Sequence, residues 1–177
     1  MTEQVILVDD QDQLIGTEEK LKAHQHGLRH RAFSIFIADD TRQSLRLLLQ
    51  QRQWDKYHCG GLWTNTCCSH PRPGETIIAA GQRRLYEEMG IADVDLQAIG
   101  VFHYIAHFDD GLTENEIDHV LLGFWRPQKF VVNDKEVADY AWLRPEQINA
   151  DYARMPDNYT PWFKQAFDIV LRQFDFK

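Results

Sequence analysis

Apolar positions along this chain follow two periods, and the switches between them mark out its elements. EQVILV at residues 3–8 reads as a short strand closed by the turn-rich DDQDQ, and LIGTEEKLKAHQHG starts extended and becomes helical near Thr17. Residues 30–39, HRAFSIFIAD, alternate and are rich in β-branched and aromatic side chains, which predicts a core strand. DDTRQS turns the chain and LRLLLQQR returns as the hairpin partner. The period then changes: Ile77, Ile78, Gly81, Leu85 and Met89 share one face of a helix spanning Thr76 to Met89, and Gly90 stops it. Residues 96–106 and 116–125 read as a second hairpin around FDDGLTEN. A strand ending at Trp142 and Leu143 follows, then a Pro-initiated helix from about residue 145. Thr160-Pro161 opens a last amphipathic helix whose Phe163, Phe167, Val170 and Phe174 form a core stripe. Trp162 lies at its start and off the stripe, placed to face a cavity.

Composition narrows the class. With 177 residues, 44% of them apolar, the chain has material for a sizeable core and reads as one domain over 1–177. A net charge of -8 without any basic stripe argues against nucleic acid as a partner, so an anionic substrate must be met by a local cluster or by metal ions. MTEQVILVDDQDQ lacks the basic start and apolar core of a signal peptide, and no apolar run approaches the roughly 18 residues of a membrane span. Three cysteines, two of them adjacent, suit a reducing compartment rather than a disulfide scaffold. The expectation is a cytoplasmic protein, away from membranes, working as a monomer or weak homodimer.

The chemistry concentrates at Trp63-Thr-Asn-Thr-Cys-Cys-Ser-His-Pro71, where Cys67, Cys68 and His70 precede a charged helix. Reactive groups before a helix N-terminus are how a protein presents them beside a metal or a phosphate. His24, His26 and His30 crowd the N-terminal segment. One histidine there reads as a solvated or core residue, whereas three at spacings of two and four also admit a metal site. Glu114, Glu116 and Asp118 share one face of a strand, about 7 Å apart. Either the strand is an exposed edge, or its acids lie near the core and need cations. Arg52 and Lys56 read alone as solvated charges and, beside the cysteine cluster, as a phosphate clamp. Arg84 and Glu88 stand one helical turn apart, a salt bridge by default. His24, His30, His70, Glu114 and Glu116 together make too many ligands for a structural tetrahedral zinc; they suit Mn²⁺, Mg²⁺ or Zn²⁺ with five or six ligands.

WTNTCCSHP, ENEIDHVLL and RRLYEEMG resemble the motifs of type 1 isopentenyl-diphosphate Δ-isomerases, Nudix-fold enzymes, and the likeness runs from about Thr17 to Trp162. It implies an α+β (α/β) Nudix-type α/β/α sandwich with a mixed central sheet flanked by helices. It implies conversion of isopentenyl diphosphate to dimethylallyl diphosphate through a tertiary carbocation. By motif, Cys68 matches the catalytic thiol, Glu116 the catalytic glutamate and metal ligand, and Tyr104 the tyrosine that hydrogen-bonds that glutamate. His24, His30, His70 and Glu114 match the remaining metal ligands, the first two supplied by the N-terminal segment 1–30. Glu88 and the Cys68 carbonyl match the holders of a Mg²⁺ on the substrate diphosphate. Lys20, Arg52, Lys56 and Arg84 match the phosphate-binding cations, and Trp162 the aromatic wall. Cys67 is then a small core residue, and His26, His58, His103, His107 and His119 are structural or solvated.

Two other readings compete. A Mg²⁺-dependent Nudix hydrolase of a nucleoside diphosphate derivative carries G-x5-E-x7-R-E-U-x-E-E-x-G-U, where U is aliphatic. This chain answers with Ser69, Glu75, Arg83, Arg84, Leu85, Glu87, Glu88, Gly90 and Ile91. Ser69 replaces the glycine and Arg84 the first glutamate of the core, which removes a metal-binding carboxylate and adds a cation. A structural zinc domain would want C-x2-C pairs, and Cys59 stands alone. Where Cys59-Gly60 stands, a Pro-Gly is common in the isomerases, so the loop carrying Lys56 is expected to be more flexible.

Overall fold

The computed structural model describes residues 2–39 and 44–174. In chain order the strands are β1 (Gln4–Val8), β2 (Leu14–Glu19), β3 (His30–Asp39), β4 (Arg46–Arg52), β5 (Trp63–Thr64), β6 (Cys67–Ser69), β7 (Leu96–His107), β8 (Thr113–Phe124) and β9 (Val137–Leu143). The α-helices are α1 (Lys20–His26), α2 (Ile77–Met89), α3 (Pro145–Arg154) and α4 (Phe163–Leu171). Residues 40–43 of the expected DDTRQS turn lie outside the described residues.

All these strands join one mixed sheet organised on β3. Along one edge β3 meets β1 at His30, β6 at Phe33 to Ile35 and β4 at Ile37 to Asp39, each antiparallel. Its other edge runs parallel to β8 from His30↔Glu116 to Ala38↔Phe124. β7 closes that side by pairing antiparallel with β8. The acidic strand is therefore interior, and the edge-strand reading fails.

Alternation along β3 builds both cores. Phe33, Ile35 and Ile37 pack with Ala80, Leu85 and Met89 of α2. Phe36 and Ala38 turn to the opposite face and pack with Ile148 of α3 and Phe163, Phe167 and Val170 of α4. Helices thus cover both faces, the expected α/β/α arrangement. Each fully buried Phe of this set contributes about 1.5–3 kcal/mol.

The second helix ends as its sequence asks. The Thr76 hydroxyl accepts from the Ala79 amide at 3.2 Å, and Gly90 caps the other end with φ 67°. At Gly81 a Cβ would sit 2.8 Å from a Leu121 methyl, so the missing side chain lets α2 lie close on the sheet. Several boundaries differ from expectation, and β8 already begins at Thr113, inside the expected FDDGLTEN turn. Residues near Thr17 stay extended because they pair with β1, Ile6↔Thr17, and α1 starts only at Lys20. The fourth helix begins at Phe163, and Phe174 is only half-buried beyond its end.

Candidate active site

The cysteine motif is set by backbone pairing. Cys67 and Cys68 lie opposite Ile35 and Ser34 on β3, and alternation sends Cys67 into the core and Cys68 to the other face. The Asn65 side chain donates to the Cys67 carbonyl at 2.6 Å, and Ile37 donates its amide to the Thr66 hydroxyl at 2.9 Å. These bonds fix the turn in front of the thiols. Burial pushes the Cys68 thiol up to about 12 despite the Arg52 guanidinium, whose Nη1 lies 3.6 Å from the sulfur.

Four of the five expected metal ligands converge. One donor atom each of His24, His30, His70 and Glu116 lies within 4.8 Å of the others, and all four residues are buried. His24 Nε2 is 3.2 Å from His30 Nε2, and Glu116 Oε1 lies 3.1 Å from His30 Nε2 and 2.8 Å from His70 Nε2. Burial, with the charges of His70 and His30, drives His24 down to about 3. Burial also lowers His70. Glu116 is held well below the carboxylate range by His70 and His30, against its own burial. Glu114 stands beside this group, its carboxylate bound by the Tyr104 hydroxyl at 2.6 Å and by His58 Nε2 at 2.5 Å. The same hydroxyl lies 2.8 Å from Glu116, yet its single proton serves one carboxylate at a time. Two buried carboxylates facing one donor, with three imidazoles around Glu116, form a donor set that suits a divalent cation.

The expected phosphate cations line the cavity. Lys20 pairs with Glu3 at 3.2 Å, and Lys56 pairs with Glu136. Arg84 binds Glu88 and also reaches Glu87 at 2.8 Å and Glu136 at 3.8 Å. Glu88 is buried, and Gln50 donates to it at 3.0 Å. Arg52 lies over the Trp162 ring, 5.6 Å from its centroid. Trp162 is itself buried and donates its indole N–H to Asn65 at 3.1 Å. Thr160 completes the tie: its amide binds the Trp63 carbonyl at 3.0 Å and its hydroxyl meets that of Thr64 at 2.8 Å.

A single cavity is lined by Cys68, Glu116, Tyr104, Glu88, Trp162 and the four cations. It also takes in residues that the sequence reading left outside the site, Tyr57, His58 and Asp118. Asp118 accepts from the Ser34 hydroxyl at 2.8 Å while its Oδ1 has no partner, and burial raises its carboxyl well above the usual range, with Glu116 adding to the effect. Its place on the acidic face was the available signal. For Tyr57 and His58, in a loop without periodicity, there was none.

Comparison with known proteins follows this geometry. The NUDIX domain family matches residues 28–163. The isopentenyl-diphosphate Delta-isomerase of Photobacterium profundum is 45% identical over 172 residues, 97% of this chain and 96% of that protein. The chain belongs to the isopentenyl-diphosphate Delta-isomerase family. A second member, from Serratia proteamaculans, is 46% identical over 92% of this chain and 88% of its own length. Solved structures share the fold of this isomerase family member at low identity. A Deinococcus radiodurans protein, DR0079, superposes with TM-score 0.68 at 16% identity, covering 86% of this chain and 90% of its own. The MutT protein of Methanosarcina mazei gives 0.64 at 17% identity, covering 83% and 96%. Among the described residues, no helix is long and apolar enough to cross a membrane.

Proposed function

We propose that residues 1–177 act as one domain that converts isopentenyl diphosphate into dimethylallyl diphosphate. The observation that carries this reading is a half-buried thiol and the carboxylate of the His/Glu cluster on one cavity that four cations also line. The reaction adds a proton to an unactivated alkene at one carbon and removes another two carbons away, through a tertiary cation. It needs one acid and one base in a dry site. Burial keeps Cys68 protonated and the imidazoles keep Glu116 ionised, so this pair holds one transferable proton.

Tyr104 orients Glu116 and Glu114. His24, His30, His70 and Glu116, with Glu114 beside them, would hold a divalent ion, Mn²⁺, Mg²⁺ or Zn²⁺. That ion supplies charge to keep the buried carboxylates ionised. Glu88 and the Cys68 carbonyl would hold a Mg²⁺ that arrives with the diphosphate, while Lys20, Arg52, Lys56 and Arg84 neutralise the remaining charge. The face of Trp162 lines the cavity that receives the carbocation, where a desolvated cation–π contact is worth roughly 2 kcal/mol. Excluding water prevents capture of that cation as an alcohol. Arg84 separates this activity from the hydrolase reading: it puts a cation on the diphosphate side where a hydrolase places a carboxylate. Free thiols suit a cytoplasmic setting.

The test is NMR of isopentenyl diphosphate in D₂O with Mg²⁺. Deuterated dimethylallyl diphosphate should form with the native protein and vanish with Cys68→Ala and with Glu116→Gln. An untouched substrate with metal-loaded native protein would sink the proposal and send the search to nucleoside diphosphate hydrolysis.

A further inference from the structure

We infer that Tyr57 and His58 are positioning residues of the divalent-metal centre, supplied by the loop that also carries the diphosphate cation Lys56. This rests on the metal site proposed above, though not on the isomerase reaction. A histidine ligand presents one ring nitrogen to the ion, and the other is almost always held by an outer partner that fixes the ring's direction, although His70 Nδ1 has none among the described residues. For His30 that partner is the Leu28 carbonyl, 2.7 Å from Nδ1. His24 turns Nε2 into the cluster, and its Nδ1 lies 3.4 Å from the Tyr57 hydroxyl. The tautomer that leaves the Nε2 lone pair free for a metal carries its proton on Nδ1, where it donates to the Tyr57 oxygen.

The neighbouring residue holds a second ligand candidate. His58 Nε2 lies 2.5 Å from Glu114 Oε1, opposite the Tyr104 hydroxyl on Oε2, so the carboxylate is gripped from both sides. The His58 ring is fixed in turn, edge-on to Tyr57 with centroids 4.4 Å apart and 4.9 Å from the Phe108 ring. Only 7% of its side chain is exposed, which a solvated surface histidine would not tolerate. Arg52 donates to the His58 carbonyl at 3.4 Å. Two adjacent residues thus touch two different groups of the proposed metal site, while Lys56 just before them and Arg52, bound to the His58 carbonyl, line the same cavity.

Metal-free native protein, Tyr57→Phe, His58→Ala and His58→Gln are titrated with Mn²⁺, and the free ion is read by electron paramagnetic resonance. Loss of an outer partner weakens metal binding roughly ten- to hundredfold, the expected result for Tyr57→Phe and His58→Ala. His58→Gln keeps an N–H for Glu114 and should recover most of the affinity, whereas a purely structural role would not be rescued. With saturating metal, KM for isopentenyl diphosphate should stay within about twofold in Tyr57→Phe, because that hydroxyl touches a metal ligand rather than the diphosphate cations. Unchanged Mn²⁺ affinity in both Tyr57→Phe and His58→Ala overturns the inference. Should His58→Ala fail to fold, Tyr57→Phe decides alone, since it removes one hydroxyl from a residue that is 50% exposed. The titration gives its answer even if the protein shows no isomerase activity.

Discussion

Arg52 faces a sulfur, a carbonyl and an aromatic ring, while Lys20, Lys56 and Arg84 each hold a carboxylate. Its charge is the most open to an incoming anion. It sits between the thiol and the indole. Arg52→Met should lower kcat/KM for isopentenyl diphosphate by roughly ten- to hundredfold, the loss of one buried charged hydrogen-bonding group. Steady-state kinetics at saturating metal checks this. The thiols give a pH signature. Burial pushes Cys68 and Cys59 each up to about 12 and Cys67 well above its ordinary value. Thiolate then rises about tenfold per pH unit over the whole working range. Alkylation of the metal-free protein by iodoacetamide should climb from pH 7 to 10 without levelling, and a plateau below pH 9 would show a thiol that the fold activates.

At the scale of elements, α2 joins the core to the site: one face carries Leu85 and Met89, while Arg84 and Glu88 look into the cavity. Its end is fixed by Gly90, in the left-handed region, where a Cβ would collide with the Val131 carbonyl oxygen. Gly90→Ala should destabilise the protein by about 2 kcal/mol or more, a melting point lower by roughly 4–8 °C. Differential scanning calorimetry reads it directly. This helix was legible because its period, Thr cap and Gly stop are all local. So were β3 and the Phe163–Phe167 stripe. The parallel pairing of His30 with Glu116 was not, since nothing near either residue encodes a partner 86 positions away. The start of α1 was missed for the same reason: β1 claims Thr17 from a distance.

For the whole molecule, two apolar clusters flank the sheet, and the metal cluster belongs to neither. Stripping the metal should therefore abolish activity while far-UV circular dichroism keeps its folded shape. The folding stability should fall only by the free energy of binding at the metal concentration used, about 2.7 kcal/mol at a hundred times Kd, and the melting point with it. Unfolding on chelation would mark the site as structural. The motif residues were readable as a set because each lies in a recognisable string. Tyr57 and His58 escaped because only the course of a loop makes them part of the cavity, whereas Asp118 stood on the acidic face in plain view.

The tie between Thr160, Trp162 and the Trp63–Asn65 segment has a consequence for how the protein is made. Translation delivers the thiol, all four cations and every metal-ligand candidate by residue 116, whereas the indole arrives 46 residues later. A nascent chain can thus collect its charged groups well before it has the indole that lines the same cavity. The order of synthesis therefore brings the indole last, at the residue just ahead of the C-terminal helix.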